Sequence, residues 1–156
     1  MKTTVITGAT SGIGRATALE LNRRGFHIVV AGRSRERGAS LLSEIADSGG
    51  SAEFLQLDLG SFDSVRQAAE DFAERGRVID VMVNNAGVGM AKGLTVDGFE
   101  KHFGTNHLGH FLLNHLLQTA FGAGTRIVTV TSSAHMRVDG IDFNRVNLTR
   151  RSMFGL

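Results

Sequence analysis

Five short segments rich in apolar, β-branched residues alternate along this chain with longer segments that have the spacing of amphipathic helices. The first pair is TTVIT, at Thr3–Thr7, and Ile13–Arg24, which Gly25 ends. Short runs of this kind are typical of strands buried on both faces of a parallel sheet. The other segments predict strands at 27–31, 52–59, 78–85 and 125–133 and helices at 35–47, 62–75 and 97–121. The order predicts an α/β fold, a doubly wound parallel sheet of five strands with helices on both faces.

Several local signals set the ends of these helices. Ser34 and Ser61 stand where N-caps are favoured, and Gly76 is a typical helix stop. The last predicted helix is long, and we expect an interruption near Gly104. Its apolar stripe, formed by Leu108, Phe111, Leu112 and Leu116, is predicted to pack on the sheet.

The composition is that of an ordinary globular domain. The chain has 156 residues, of which 42% are hydrophobic and 21% charged, so we predict one domain over residues 1–156. The absence of cysteine excludes disulfides and fits a reducing compartment, and we expect a cytoplasmic protein. The first residues lack the long apolar run of a signal peptide or membrane span, and the mixed charges form no basic block. We therefore expect neither a membrane nor a nucleic acid as a partner.

A glycine-rich turn, TGATSGIG, directly follows the first predicted strand. Its glycines are Gly8, Gly12 and Gly14. Glycine lets the chain turn sharply, and it lets backbone N–H groups approach a phosphate at the helix N-terminus, where the helix dipole favours an anion. An ordinary structural turn between strand and helix is the alternative.

Polar or glycine residues suited to a ligand follow every predicted strand. They are the glycine-rich turn, Gly32-Arg33, Asp58, Asn84–Gly87 and Ser132-Ser133. In open α/β sheets the ligand lies outside the carboxyl ends of the strands. The sequence therefore predicts one ligand site that extends across this edge of the sheet.

The words TGATSGIG, NNAG and IVTVTSS, in this order and spacing, resemble the short-chain dehydrogenase/reductase family. TNHLGHFLL and SSAH further resemble its retinol dehydrogenase/carbonyl reductase-like branch. The resemblance covers the whole chain. It implies a Rossmann fold that lacks the family's C-terminal part, and an oxidoreductase that transfers hydride between a nicotinamide cofactor and a small-molecule carbonyl or alcohol substrate.

The resemblance also implies which residues bind the cofactor. Those residues lie after the first, third and fourth strands and are Thr7, Gly8, Ser11, Gly12, Ile13, Gly14, Asp58, Leu59, Asn85, Ala86 and Gly87. The first six would wrap the pyrophosphate and adenosine ribose, and Asp58 and Leu59 would flank the adenine. For Asn85, a purely structural hydrogen bond to neighbouring backbone is an equal alternative.

The second strand bears on the choice of cofactor. NAD-specific sites usually carry an acidic residue at its end, where a carboxylate would repel a 2′-phosphate. Here Arg33 follows the strand, and the first acid is Glu36. An arginine can bind a phosphate through two hydrogen bonds, so we predict NADP(H) in preference to NAD(H). Arg15 could assist. A solvated surface residue is the alternative for each arginine, and for Arg15 it is an equal alternative.

Two members of the family's catalytic set, Asn, Ser, Tyr and Lys, match this chain. Asn106 matches the asparagine that bends the long helix and holds a water of the proton relay. Ser133 matches the serine that donates a hydrogen bond to the substrate carbonyl oxygen. The chain contains no tyrosine, and the resemblance places the Tyr-x-x-x-Lys motif just past Leu156. We therefore expect a cofactor-binding part that is inactive as given.

Other functions remain open at this point. A nucleotide-binding module without turnover, or a half-domain completed by another chain, would show the same motifs. Neither Phe154 nor His135 is a convincing substitute for the tyrosine, and the pair His107 and His110 has no evident third metal ligand, so we predict no metal site. An incomplete sheet leaves an unpaired edge, and the resemblance implies that the apolar stripe of the long helix also packs on a partner subunit. We therefore expect a homo-oligomer.

Overall fold

A five-stranded parallel sheet forms the centre of the computed structural model, which describes residues 1–133 together with residues 136, 140, 141, 143 and 146. The strands are β1 (Thr3–Thr7), β2 (His27–Gly32), β3 (Ala52–Gln56), β4 (Ile79–Asn84) and β5 (Phe121–Thr129). Their order is β3-β2-β1-β4-β5, and every neighbouring pair is parallel. The predicted Rossmann fold is confirmed. The order reverses between β1 and β4, which is where ligands bind in such sheets.

Helices connect these strands and cover both faces. They are α1 (Gly12–Arg23), α2 (Arg35–Asp47), α3 (Phe62–Glu74), a π-helix (Phe103–Leu108), α4 (Gly109–Leu116) and a short 3₁₀ turn (Gln118–Ala120). Ser34 and Ser61 are the N-caps of α2 and α3, as predicted. None of the helices in the described residues is long and apolar enough to cross a membrane.

Alternate side chains of β1 point into two separate cores. Val5 packs with Phe72 of α3 and Leu113 of α4. Ile6 packs on the opposite face with Leu41 of α2. Because side chains of a strand alternate between faces, a strand covered on both sides must be apolar at nearly every position. This requirement explains why the TTVIT segment predicts a buried parallel strand.

The predicted helix over 97–121 is wrong at both ends. Residues 97–100 form a turn in which Gly98 has φ +84° and Leu94 bridges to Glu100, so helical structure begins only at Lys101. At the other end, Phe121 opens β5 and packs against the core. The interruption expected near Gly104 is confirmed as the π-helix, in which the Gly109 N–H donates to the Gly104 carbonyl, five residues back rather than four.

The apolar stripe predicted on that helix packs on the sheet only in part, through Leu112. Leu113 and Leu117 are buried against the sheet, whereas Phe111 is 68% exposed and Leu116 is also exposed. Phe111, Leu112 and Leu116 all belong to the regular turns of α4, and the side of that helix that faces the sheet carries Leu113 and Leu117, four residues apart. Phe111 therefore lies on the outer side of α4.

Two strands differ in length from the prediction. β3 ends at Gln56 rather than Leu59, because Asp58 forms a local turn in which its Oδ1 accepts the Gly60 N–H at 2.9 Å. β5 begins earlier, at Phe121, because a register shift opposite Ile79 accommodates Gly124 at φ +93°. Thr125 stabilises this bulge by donating its hydroxyl to the Ile79 carbonyl at 2.6 Å.

Candidate functional site

A cavity extends along the carboxyl ends of β1, β2 and β4 and the loop after β3. Nine of the residues predicted to bind a cofactor line it, namely Thr7, Gly8, Ser11, Arg33, Asp58, Leu59, Asn85, Ala86 and Gly87. These residues come from four separate loops, and the parallel sheet is what brings the loops to one edge. Ser132 and Ser133, which the sequence placed at the same site after the fifth strand, are not among the residues that line the cavity.

Four other predicted residues, Gly12, Ile13, Gly14 and Arg15, do not line the cavity. The Ile13 side chain is 69% exposed at the first turn of α1. The Arg15 guanidinium forms an ion pair with Glu44 of α2. Arg15 is thus directed to a neighbouring helix, and the reading of it as a second phosphate ligand finds no support in its position.

Gly14 lies where helix α1 packs closely against two residues of the cavity lining, Gly8 and Asn85. A Cβ atom on this residue would lie 2.5 Å from Asn85 Nδ2 and 2.5 Å from the Gly8 carbonyl oxygen, far inside van der Waals contact. Gly8 itself has φ +67°, a left-handed conformation that favours glycine. The absence of a side chain at Gly14 lets helix α1 approach the turn after β1, and its absence at Gly8 lets Ala86 approach that turn from the segment after β4.

The turn after β1 and the segment after β4 are fastened together by Thr7 and Asn85. The Thr7 hydroxyl oxygen accepts the N–H groups of Asn85 and Ala86, each at 3.0 Å. The Asn85 side-chain amide returns a hydrogen bond to the Thr7 carbonyl at 2.9 Å. Asn85 therefore satisfies both readings of the sequence, since it makes structural bonds and also lines the cavity. Thr7 is fully buried, so its hydroxyl acts within the protein.

Helix α1 directs an uncapped N-terminus at the cavity. Its N-cap is Ser11, whose side chain makes no capping hydrogen bond among the residues described. The first turn, Gly12–Arg15, contains no acidic residue. Free N–H groups and the positive end of the helix dipole are suited to an anion such as a phosphate. The geometry thus allows the glycine-rich turn to bind a phosphate group.

Two arginines lie at the part of the cavity formed after β2. Arg33 was predicted from the sequence, whereas Arg37, which also lines the cavity, was missed. Ser34 directs the first turn of α2 to this place by accepting the Arg37 N–H at 3.3 Å. The Gln56 side chain fixes the other arginine by donating to the Arg33 carbonyl at 3.1 Å. The sequence signal that could have indicated Arg37 is its position in the first helical turn after the N-cap serine, Ser34.

Residues 2–141 match the family model described as "short chain dehydrogenase". The chain belongs to the short chain dehydrogenase family. The retinol dehydrogenase-like branch is shown as well, because the curated relatives of this short chain dehydrogenase include retinol dehydrogenases at 41–46% identity. The resemblance drawn from TGATSGIG, NNAG and IVTVTSS is therefore confirmed.

Curated relatives of this short chain dehydrogenase share its sequence over less than half of their own length. Mouse polyprenol dehydrogenase is 49% identical over 140 residues, which are 84% of this chain and 42% of the relative. Human retinol dehydrogenase 11 is 45% identical over 139 residues, 86% of this chain and 44% of the relative. The comparison therefore concerns the part of those enzymes that corresponds to the sheet described above.

Solved structures share the fold of this short chain dehydrogenase. A short chain dehydrogenase from Burkholderia cenocepacia J2315 in complex with NADP is similar with a TM-score of 0.75 at 28% identity, over 92% of this chain and 60% of that chain. A blue fluorescent protein from a metagenomic library in complex with NADPH has a TM-score of 0.76 at 29% identity, over 87% and 57%.

The two predicted catalytic residues of this short chain dehydrogenase lie outside the cavity lining. Asn106 sits within the π-helix and binds the backbone of Val88, accepting its N–H at 2.8 Å and donating to its carbonyl at 3.0 Å. Its neighbour Thr105 lines the cavity instead, as does Val88, and the sequence reasoning named neither. Ser133 is exposed beyond the end of β5. His135 and Phe154, weighed above as substitutes for a tyrosine, lie outside the described residues.

Proposed function

We propose that this chain binds NADP(H) in preference to NAD(H) and is the cofactor-binding part of an oxidoreductase. The reaction would transfer hydride between the nicotinamide and a carbonyl or alcohol substrate. Family membership and the NADP- and NADPH-bound structures of similar fold support the cofactor class. The observation that carries the preference for a phosphorylated cofactor is the pair Arg33 and Arg37 at the end of β2.

The chain's own residues fit such a cofactor at two places. The uncapped start of α1 at Ser11 offers N–H donors to a pyrophosphate, whose charge the helix dipole would stabilise. The segment Asn85–Gly87 lines the continuation of the cavity toward β4. A dinucleotide laid across the carboxyl edge of the sheet would contact both, in the manner usual for doubly wound sheets.

The charge at the end of β2 favours a 2′-phosphate. Among the described residues, neither Arg33 nor Arg37 forms an ion pair with a carboxylate, whereas Arg15 is already paired with Glu44. An arginine without an acidic partner can direct its planar fork of N–H donors at a phosphate. The residues that line this part of the cavity, from Ala31 to Ser34, include no acid that would repel the phosphate.

Calorimetric titration of the protein with NADPH and with NADH tests the proposal. We expect NADPH to bind more tightly. Arg33→Ala and Arg37→Ala should each weaken NADPH binding by about 1.5–3 kcal/mol, the range for a hydrogen bond to a charged group, and leave NADH binding little changed. Equal affinity for the two cofactors in the unmutated protein would contradict the proposed preference.

Arg35→Ala is the matched control. Arg35 belongs to the same helical turn, but its guanidinium lies 6.0 Å from the centre of the Phe54 ring and not in the cavity lining. Its removal changes the net charge by the same amount, so a general electrostatic effect would appear in all three variants. A specific phosphate site would lose affinity only with Arg33 and Arg37.

Hydride transfer can be followed in the same samples by adding an aldehyde and monitoring NADPH. The nicotinamide supplies or accepts the hydride when it is bound. We propose that the Ser133 hydroxyl donates a hydrogen bond to the substrate oxygen, with Asn106 in support. The chain contains no tyrosine, so the proton donor must come from outside this set, and we expect binding without measurable turnover. Turnover that survives Ser133→Ala would contradict these assignments.

A further inference from the structure

His110 is a buried titratable residue that connects two parts of the site. It lies on α4, is 6% exposed, and stands between the turn after β1 and the π-helix. Its Nε2 atom is 2.8 Å from the Thr7 hydroxyl oxygen. Its Nδ1 atom is 2.9 Å from the Asn106 carbonyl oxygen. Neither the proposed binding of a cofactor nor the proposed catalytic residues account for it.

The neighbours of the ring determine where its proton is. The Asn106 carbonyl can only accept, so Nδ1 must carry a hydrogen. The Thr7 hydroxyl oxygen already accepts two N–H groups, from Asn85 and Ala86, and its own hydrogen must go to an acceptor. The Val83 carbonyl lies at 3.4 Å, which is long for an O–H donor, whereas Nε2 of His110 is at 2.8 Å.

A neutral ring with hydrogen on Nδ1 satisfies every one of these groups. Burial lowers the pKa of His110, the hydrogen bond with the Asn106 backbone raises it, and the nearby His107 lowers it, with a net decrease. The neutral form is therefore the one present at neutral pH. In this form the ring accepts a hydrogen bond from the Thr7 hydroxyl and donates one to the Asn106 carbonyl. The two ring nitrogens and the Thr7 hydroxyl then each have a hydrogen-bond partner.

We propose that His110 is a positioning residue for the cofactor site, which orients the Thr7 hydroxyl so that it holds Asn85 and Ala86 in the cavity wall. The proposal rests on the proposed binding of a cofactor in this cavity. The Thr7 hydroxyl can accept both N–H groups only while its own hydrogen is directed elsewhere, and His110 provides that direction. The same ring ties the π-helix to this point through Asn106, beside Thr105 in the cavity lining.

Three substitutions separate the two ends of the ring. In His110→Gln the side-chain oxygen reaches as far as Nε2 and can accept from Thr7. In His110→Asn the amide overlays Nδ1 and can donate to Asn106 but cannot reach Thr7. His110→Phe retains the ring volume and removes both bonds. His115→Gln, at an exposed position of the same helix, is the matched control.

The first measurement needs no cofactor. Nitrogen-15 NMR of the histidine rings should show His110 as the Nδ1–H tautomer at neutral pH. Amide hydrogen exchange of Asn85 and Ala86 should be as slow in His110→Gln as in the unmutated protein and at least several-fold faster in His110→Asn and His110→Phe. A charged ring, an Nε2–H tautomer, or equal exchange in the Gln and Asn variants would overturn the proposal.

The second measurement is the affinity for NADPH. We expect His110→Gln and His115→Gln to bind within about two-fold of the unmutated protein, and His110→Asn and His110→Phe to bind about five- to ten-fold more weakly, the effect of one neutral hydrogen bond. A merely structural role would make the affinities follow the melting temperatures of the variants. If the unmutated protein binds no NADPH, the proposed function fails, and the tautomer and exchange data still decide whether His110 positions Thr7.

Discussion

Helices α2 and α3 begin with a serine that satisfies the first turn, whereas α1 begins with one that does not. Ser34 accepts the N–H of Arg37 and Ser61 accepts the N–H of Ser64, each at 3.3 Å. An acidic residue, Glu36 or Asp63, stands in each of these first turns. By contrast, Ser11 makes no capping hydrogen bond among the described residues, and the first turn of α1 contains no acidic residue.

The difference separates stability from ligand binding within one architecture. A capped N-terminus with an acid nearby has its N–H groups and dipole satisfied by the chain itself. The N-terminus of α1 lies at the cavity and leaves the same groups to a ligand. The capped start of α2 also lies at the cavity, where it contributes the Arg37 side chain rather than free N–H groups, and the start of α3 does not line the cavity. The three helices therefore allow the two uses of a helix N-terminus to be compared within one chain.

The largest effect is expected for a methyl group placed between α1 and the turn after β1. Gly14→Ala puts a Cβ 2.5 Å from the Gly8 carbonyl, a backbone atom that cannot move aside without displacing the turn. We expect a loss of about 1–3 kcal/mol in the free energy of unfolding, measured by chemical denaturation. NADPH affinity should fall in the fraction that remains folded.

Gly38→Ala in α2 is the counterpart. Its Cβ would lie 2.3 Å from the Phe54 ring, so it should also destabilise the fold. Because this contact lies on the sheet side of α2 rather than between the two loops of the cavity, the preference for NADPH over NADH should persist. The comparison would be broken if Gly38→Ala abolished the preference and Gly14→Ala preserved it.

A smaller effect is expected from giving α1 the capping that the other helices have. Ser11→Asp supplies a strong N-cap, and we expect the free energy of unfolding to rise by a few tenths of a kcal/mol to about 1 kcal/mol. The same carboxylate would repel a phosphate, so NADPH binding should be lost. Denaturation and calorimetric titration of the same sample measure the two results.

Ser61→Ala is the control for that substitution, since Ser61 caps α3 away from the cavity. It should cost about 1 kcal/mol of stability and leave NADPH affinity unchanged. If Ser11→Asp instead lowered stability and preserved binding, the start of α1 would not be reserved for an anion.

The smallest effect is expected at the ion pair between α1 and α2. The side chains of Arg15 and Glu44 are 41% and 44% exposed, and exposed pairs contribute about 0–1 kcal/mol. Arg15→Ala should therefore change stability little, and less still at high salt. Since Arg15 does not line the cavity, the ratio of NADPH to NADH affinity should also be unchanged. A loss of preference as large as in Arg33→Ala would return Arg15 to the binding site.

Much of this fold could be predicted from the sequence because the deciding signals are local. The β-branched run at Thr3–Thr7 and the caps at Ser34 and Ser61 each depend on a few neighbouring residues. The long helix failed because its ends depend on contacts that no local pattern contains. Phe121 belongs to β5 through its pairing with Ile79, which is distant in sequence.

The candidate site also contains some residues that local sequence indicates and others that depend on contacts between distant residues. Residues of strong motifs, such as Gly8 and Asn85, line one cavity because the strand order brings their loops together. The role of Arg15 was left open and Arg37 was not named, since the direction of a long side chain depends on its neighbours in space. Glu44 pairs with the first, and the cap at Ser34 turns the second toward the cavity.

The π-helix at Phe103–Leu108 has a consequence for insertions and deletions in this chain. An α-helix turns by about 100° per residue. One residue added within a helix therefore rotates the side chains that precede it by that angle relative to the side chains that follow it. Deleting one residue from this segment would restore regular α-helical bonding and turn Thr105 away from the cavity, with α4 still in the core. The length of the segment therefore cannot change without dismantling this wall of the site.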